Sequence, residues 1–306
     1  MSLQPATNIP AAPHPAEAGM RSTLIGIGIN LLLATGKALA GIFGHSYALI
    51  ADAIESGTDV LSSLAVFFGL KVAARPADDN HPYGHGKAEP LAALVVGVAL
   101  FGAAAMIAFE SIKQIRTPHN LPAAWTLAVL LGVVLIKEGL FRFVFKVGDE
   151  VSSSAVKGDA WHHRSDALTS AAAFIGICIA LVGGKGWEGA DDWAALVATL
   201  VIAYNGFLIL RTSIYELTDA KPNEALEVEI RSQAMQVQGV LALDKCQIRK
   251  MGFDYFVELD IRVDPQLTVQ RGHEIAHDVQ DELRTSIKTI RIARVLVHVE
   301  PYSSTS

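Results

Sequence analysis

Two short stretches of this chain place acids and histidine inside runs that are otherwise apolar. The first reads Ala51-Asp52-Ala53-Ile54-Glu55-Ser56-Gly57-Thr58-Asp59, the second Gly158-Asp159-Ala160-Trp161-His162-His163-Arg164-Ser165-Asp166. Both put polar groups at i, i+3 and i+7, and at about 100° per residue those positions share one helix face. Asp52, Glu55 and Asp59 therefore form one stripe, and Asp159, His162 and Asp166 another. Both runs continue into Leu, then Ser or Thr, then Ser, so the second echoes the first. Joining the two i, i+4 pairs gives a four-ligand set: Glu55, Asp59, His162 and Asp166. Four such ligands suit tetrahedral Zn²⁺ first, and one imidazole among carboxylates also suits Fe²⁺, Mn²⁺, Co²⁺ or Cd²⁺. Three carboxylates around a divalent ion leave one negative charge in excess, which favours protonating a ligand when the metal leaves. A competing reading pairs the acids with Lys37 or Lys137, or leaves them among lipid headgroups; Asp52 is the natural partner for Lys37.

The elements that position these residues are membrane helices. A bilayer-spanning helix needs about 20 mostly apolar residues. Six windows qualify, near 22–43, 46–73, 89–112, 122–147, 154–183 and 191–213. The chain is 51% hydrophobic but only 7% aromatic, with a mean hydropathy of +0.35, as expected of small aliphatic residues packed in a bilayer. An acid at mid-bilayer costs roughly 2.5–3.5 kcal/mol on insertion scales, so acids in these windows need a reason. Glu55 and Asp59 lie nearer the outer end of their helix than His162 and Asp166 do to theirs. The two pairs meet only if the fifth helix starts well inside the cytoplasm, which polar Ser152–Asp159 allows.

Arg21, Lys71, Arg75, Lys87, Arg142, Lys146, Lys157 and Arg211 fall on one side of the six windows. Only Lys113, Arg116 and Lys185 fall on the other. The positive-inside rule then puts both termini in the cytoplasm. Residues 1–19 read as a disordered Ala/Pro-rich tail with no apolar signal region, followed by a transport domain over 20–215. A net charge of −6 gives no basic footprint for nucleic acid. Two cysteines, Cys178 and Cys246, form no CxxC pair, which excludes a disulfide framework and a thiolate zinc site. No HExxH, GxSxG or nucleophile–base set lies near the spans, so an enzyme is not expected.

Pro222 marks a change of character. Over 216–302 the pattern predicts helix Glu224–Met235, strands Leu241–Lys250 and Tyr255–Val263, helix Val269–Ser286 and strand Ile290–Val299. In the second strand, alternate residues from Tyr255 to Val263 are apolar, the pattern of a half-buried strand. The order αββαβ predicts a small α+β domain, one sheet with helices on one face.

With these residues in hand, the sequence resembles the cation diffusion facilitator family over nearly the whole chain after residue 20. Three stretches carry the resemblance: Leu49–Ala53 with Glu55, Ser56 and Asp59; the loop Asp78–Glu89; and His162 with Asp166. The resemblance implies a homodimer in a lipid bilayer that exchanges cytoplasmic Zn²⁺ or a related ion for protons, with a ferredoxin-like cytoplasmic domain like that of small metallochaperones. It assigns the transport quartet to Glu55, Asp59, His162 and Asp166, where Glu55 replaces the more usual Asp or His. It implies a second metal site at Asp78, His81 and His85, and an interlock between Lys87 and Asp219. In the cytoplasmic domain His273, His298 and Glu300 match ligand positions, with Asp244 and Asp260 where His is usual. His273 and His277 also share a helix face. The connection between the fourth and fifth helices lacks the long His-rich insert of vesicular zinc transporters, which points to a bacterial inner (plasma) membrane. The alternative from another class is a membrane-bound metal sensor or scaffold without transport.

Overall fold

The computed structural model describes residues 15–43, 47–116, 126–184, 187 and 190–303. Six long helices come first: α1 Pro15–Phe43, α2 Tyr47–Ala73, α3 Ala88–Arg116, α4 Thr126–Glu150, α5 Ser154–Gly183 and α6 Ala190–Leu217. At 1.5 Å per residue even α4, with 25 residues, exceeds the roughly 30 Å of a bilayer's hydrocarbon core. Among the described residues, three stretches, Pro15–Gly36, Ala88–Lys113 and Leu196–Leu217, are long and apolar enough to cross a membrane by composition alone.

Two features differ from the sequence reading. Pro15–Gly19, assigned to the tail, is helical. Proline suits the first turn of a helix, and Glu17 there complements the helix dipole; Gly19 packs against Val156 and Leu70. Residues 1–14 lie outside the described residues. In addition, α3, α4 and α6 run past their apolar windows, to Arg116, Glu150 and Leu217.

The bundle core is made of Val66, Leu70, Ala93, Val96, Leu100, Val144, Ala155, Val156, Ala160 and Ile202. Small residues let helices approach closely: a Cβ on Gly69 of α2 would lie 2.3 Å from the Ala92 Cβ of α3. Ser152, at φ 54°, breaks the chain between α4 and α5. The buried Glu89 carboxylate at the start of α3 then caps α5, accepting from Ser153 Oγ at 2.6 Å and the Ala155 N–H at 2.7 Å.

After α6 come α7 Glu224–Ala234, β1 Ala242–Met251, β2 Asp254–Val263, α8 Val269–Ser286 and β3 Arg291–Pro301. Asn223 and Thr268 cap the two helices through their side-chain oxygens. The sheet order is β1-β2-β3. β1 pairs antiparallel with β2 and β3 parallel to it, the connection running through α8. Val257, Leu259, Ile261 and Val263 face Ile230, Ile275, Val279 and Leu283 in a separate core. Gly252, at φ +64°, turns the β1–β2 hairpin. It also meets Gly86 of the α2–α3 loop, where a Cβ on Gly86 would lie 2.3 Å from the Met251 carbonyl oxygen. Only glycine permits this approach of loop to hairpin.

Candidate metal centre

Gly69 sets α2 against the start of α3, and Glu89 sets the start of α5 at that same level. Asp59 lies ten residues along α2 from Gly69, and His162 nine along α5 from Ser153. At about 1.5 Å per residue both arrive roughly 14 Å into the bundle. Asp59 and His162 thus reach a common depth because α5 begins at the level of the α3 start.

Asp59 Oδ1 lies 3.1 Å from His162 Nε2. Asp166 completes a group whose ligand atoms lie within 4.8 Å of one another. Two ligands of one tetrahedral ion, each at about 2.0–2.1 Å, stand roughly 3.3 Å apart, so this spacing fits a single ion. Asp59 and His162 are 8% and 6% exposed. Glu55 lies one turn before Asp59 on α2, but its side chain, like those of Asp52 and Lys37, lies outside the described residues.

Sequence reasoning missed one member of this neighbourhood and weighed another only as a competing partner. The Lys137 ammonium, on α4, donates to Asp166 Oδ2 at 2.7 Å and to Asn30 Oδ1 of α1 at 2.8 Å. It also lies 3.5 Å from Asp59 Oδ2. The signal for Asn30 was a lone amide in an apolar helix. Asp159, expected on the His162–Asp166 stripe, stands apart from the group. It accepts from Ser63 Oγ at 2.6 Å, and its other oxygen is 3.9 Å from His163 Nε2. The His163 ring occupies the space left by Gly26 of α1.

A second group gathers in the α2–α3 loop. Asp78 Oδ1 accepts from the Asn80 and His81 N–H groups at 3.0 and 2.7 Å, an Asx turn, and lies 3.0 Å from His81 Nδ1. Asp78 Oδ2 lies 3.4 Å from His85 Nε2. Partial burial pushes the Asp78 carboxyl up, but the hydrogen bonds from His81 and the charges of His81 and His85 hold it below its ordinary value. The loop is pinned to the cytoplasmic domain by Tyr83, which meets Phe256 edge-on and lies 5.1 Å from the Arg249 guanidinium. Lys87 donates to Asp219 Oδ1 at 2.6 Å and to the Glu216 carbonyl.

The cytoplasmic ligand candidates do not converge in this way. His298 lies 3.8 Å from Glu300, and Asp260 is the strand partner of His298. Asp244 is bound to Arg262 at 3.2 Å, and His273 pairs with His277, Nε2 to Nε2, at 3.1 Å. Among the described residues, the only clusters of three metal-ligating atoms are those of the bundle and the loop.

Residues 23–218 match the cation efflux transmembrane domain, and residues 222–302 match the cytoplasmic domain of cation efflux proteins. The chain belongs to the cation diffusion facilitator family. It is 32% identical over 284 residues to the manganese efflux system protein MneP of Bacillus subtilis (strain 168), covering 91% of this chain and 95% of the relative. It is 33% identical over 288 residues to the uncharacterized transporter YdbO of the same strain, covering 92% and 96%. To the magnetosome protein MamM of Paramagnetospirillum magneticum (strain ATCC 700264 / AMB-1) it is 30% identical over 288 residues, covering 92% and 89%. This cation diffusion facilitator is thus a multi-pass membrane protein of a divalent-metal efflux family, not an enzyme, with a helical membrane domain and a small C-terminal α+β domain.

Proposed function

We propose that this protein exports a divalent metal ion from the cytoplasm in exchange for protons, gripping it with Glu55, Asp59, His162 and Asp166. The reading rests chiefly on the buried approach of Asp59 to His162, 3.1 Å apart on two different helices. Lipid tolerates such charge only where something compensates it. Metal and proton compete for the same oxygens and imidazole nitrogen, so loading with one expels the other. In this reading all six long helices span the membrane, over a transport domain of 20–215 and a ferredoxin-like domain of 216–302. Both termini face the cytoplasm of a bacterial inner membrane, and two copies work as a homodimer, for which the cytoplasmic domain match is the support. Asp78, His81 and His85 bind a second ion in the loop. Asp244, Asp260, His273, His298 and Glu300 ligate metal in the cytoplasmic domain once two copies meet.

Three carboxylates with one imidazole accept Zn²⁺ and also harder ions such as Mn²⁺ and Fe²⁺. A relative of 32% identity is named for manganese efflux. Reconstituted vesicles loaded with a zinc-sensitive dye test the transport, and a competition panel of Zn²⁺, Mn²⁺, Fe²⁺, Co²⁺ and Cd²⁺ ranks the ions. Glu55→Ala and Asp59→Ala should abolish flux while the protein stays folded; undiminished flux would reject the site.

A further inference from the structure

We infer that Lys137 is a tethered competitor for the ion's seat: its ammonium holds Asp166 and Asp59 in the unloaded protein, and the arriving ion must displace it. This rests on the proposed transport site and adds to it a residue that sets affinity. The Lys137 ammonium is only 1% exposed, and its nitrogen lies 2.7 Å from Asp166 Oδ2 and 3.5 Å from Asp59 Oδ2. Those are the same carboxylates whose oxygens lie within ligating reach of His162. An ion seated between these carboxylates and His162 would stand beside the ammonium, which approaches Asp59 from its other oxygen, and two cations repel strongly at such short range.

The geometry also provides a place for the ammonium to go. Asn30 Oδ1 accepts from Lys137 Nζ at 2.8 Å, so the lysine keeps one strong contact as it gives up Asp166. A compact ammonium on a flexible four-carbon stem suits that movement better than a rigid guanidinium. The charges agree as well. Three carboxylates and a divalent ion leave one negative charge in excess, and a lysine resting on Asn30 balances it without a proton. In the unloaded state the same lysine offsets part of the carboxylate charge, which a buried site otherwise tolerates poorly. A seat that carries its own cation binds metal less tightly than its ligands alone would, which favours release on the far side.

The test measures Mn²⁺ and Zn²⁺ affinity by calorimetry on the full chain in detergent, alongside vesicle flux. Lys137→Met and Lys137→Gln should bind at least about tenfold more tightly while maximal flux falls, because the ion is held. Lys137→Arg, which keeps a cation, should show no such tightening. Asn30→Ala, which removes the resting place and pins the lysine on the carboxylates, should weaken binding several-fold, and it remains informative should the neutral variants fail to fold. Unchanged or weaker affinity in a folded neutral variant, or unchanged affinity in Asn30→Ala, overturns the proposal. Asp59→Asn separates the two levels. If it binds as well as the native chain, the transport site and this inference fall together. If it loses binding while the neutral lysine variants do not tighten, only the competition by Lys137 falls.

Discussion

The bundle cluster and the loop cluster are built from the same kinds of side chain, but the acid at the centre of the first is buried and that of the second is half exposed. In the bundle, Asp59 and His162 are each under 10% exposed, and the compensating charge is a protein side chain, Lys137. In the loop, the side chains of Asp78 and His81 are 50% and 56% exposed. There the carboxylate is held by the N–H groups of its own turn. A buried carboxylate must find its counter-charge inside the protein, because its desolvation is not otherwise repaid. An exposed one leaves charge balance to solvent and uses its hydrogen bonds for shape. The bundle cluster is therefore organised around a buried counter-charge, and the loop cluster around the conformation of one turn.

The sharpest way to break that comparison is to remove one carboxylate or imidazole from each. Asp59→Ala should lower vesicle flux by more than about 100-fold, beyond the roughly 10–100-fold that loss of a supporting partner costs a metal site. His81→Ala should lower it by less than about tenfold, because the bundle site stays intact. Equal losses in the two variants would show that the clusters act as one site and that burial does not separate them.

The same contrast recurs in the ion pairs that tie the bundle to the cytoplasmic domain. Lys250 meets Glu216 at 3.0 Å, with side chains only 11% and 13% exposed, and donates to the Ser152 carbonyl at 2.9 Å. Lys87 and Asp219 are 27% and 44% exposed. Lys250→Met should destabilise the protein by about 3 kcal/mol, since it strands a buried carboxylate. Lys87→Met should cost less than about 1 kcal/mol. Thermal unfolding of the two variants in detergent checks the order; a Lys87 effect as large as that of Lys250 would remove burial as the deciding variable.

Much of the fold was legible in the sequence, and physical reasons mark where it was not. The apolar windows and the period-two pattern of Tyr255–Val263 are local signals, and the helices and β2 follow them. The grouping of Asp59, His162 and Asp166 was legible because i, i+4 spacing fixes a face. Their common depth was not, because it depends on Glu89 capping α5 from another helix. Asp159 obeyed the same spacing but lies one turn nearer the start of α5 than His162, and so meets Ser63, one turn further along α2 than Asp59. Lys137 was visible only as a candidate partner for the acids. Which carboxylates it meets, and that Asn30 holds it, are tertiary facts with no local pattern. The contact of Gly86 with the Gly252 hairpin was equally hidden, because a glycine records that space is needed but not what fills it.

The smallest expected effect concerns the loop turn itself. The Asp78 carboxyl titrates below its ordinary value of 3.8. A group whose folded value is depressed stabilises the structure above its unfolded value and loses that contribution as pH falls through the folded one. The turn should therefore be indifferent to pH at neutrality and loosen only below about 3.8. Carboxyl ¹³C resonances of the full chain in micelles report the midpoint directly. In His81→Ala the backbone N–H bonds stay, but the ring hydrogen bond and ring charge are lost, so the midpoint should rise. An Asp78 midpoint at or above 3.8 in the native chain would mean that the histidines do not face this carboxylate. The loop would then keep its backbone turn but lack the preformed acid–imidazole group.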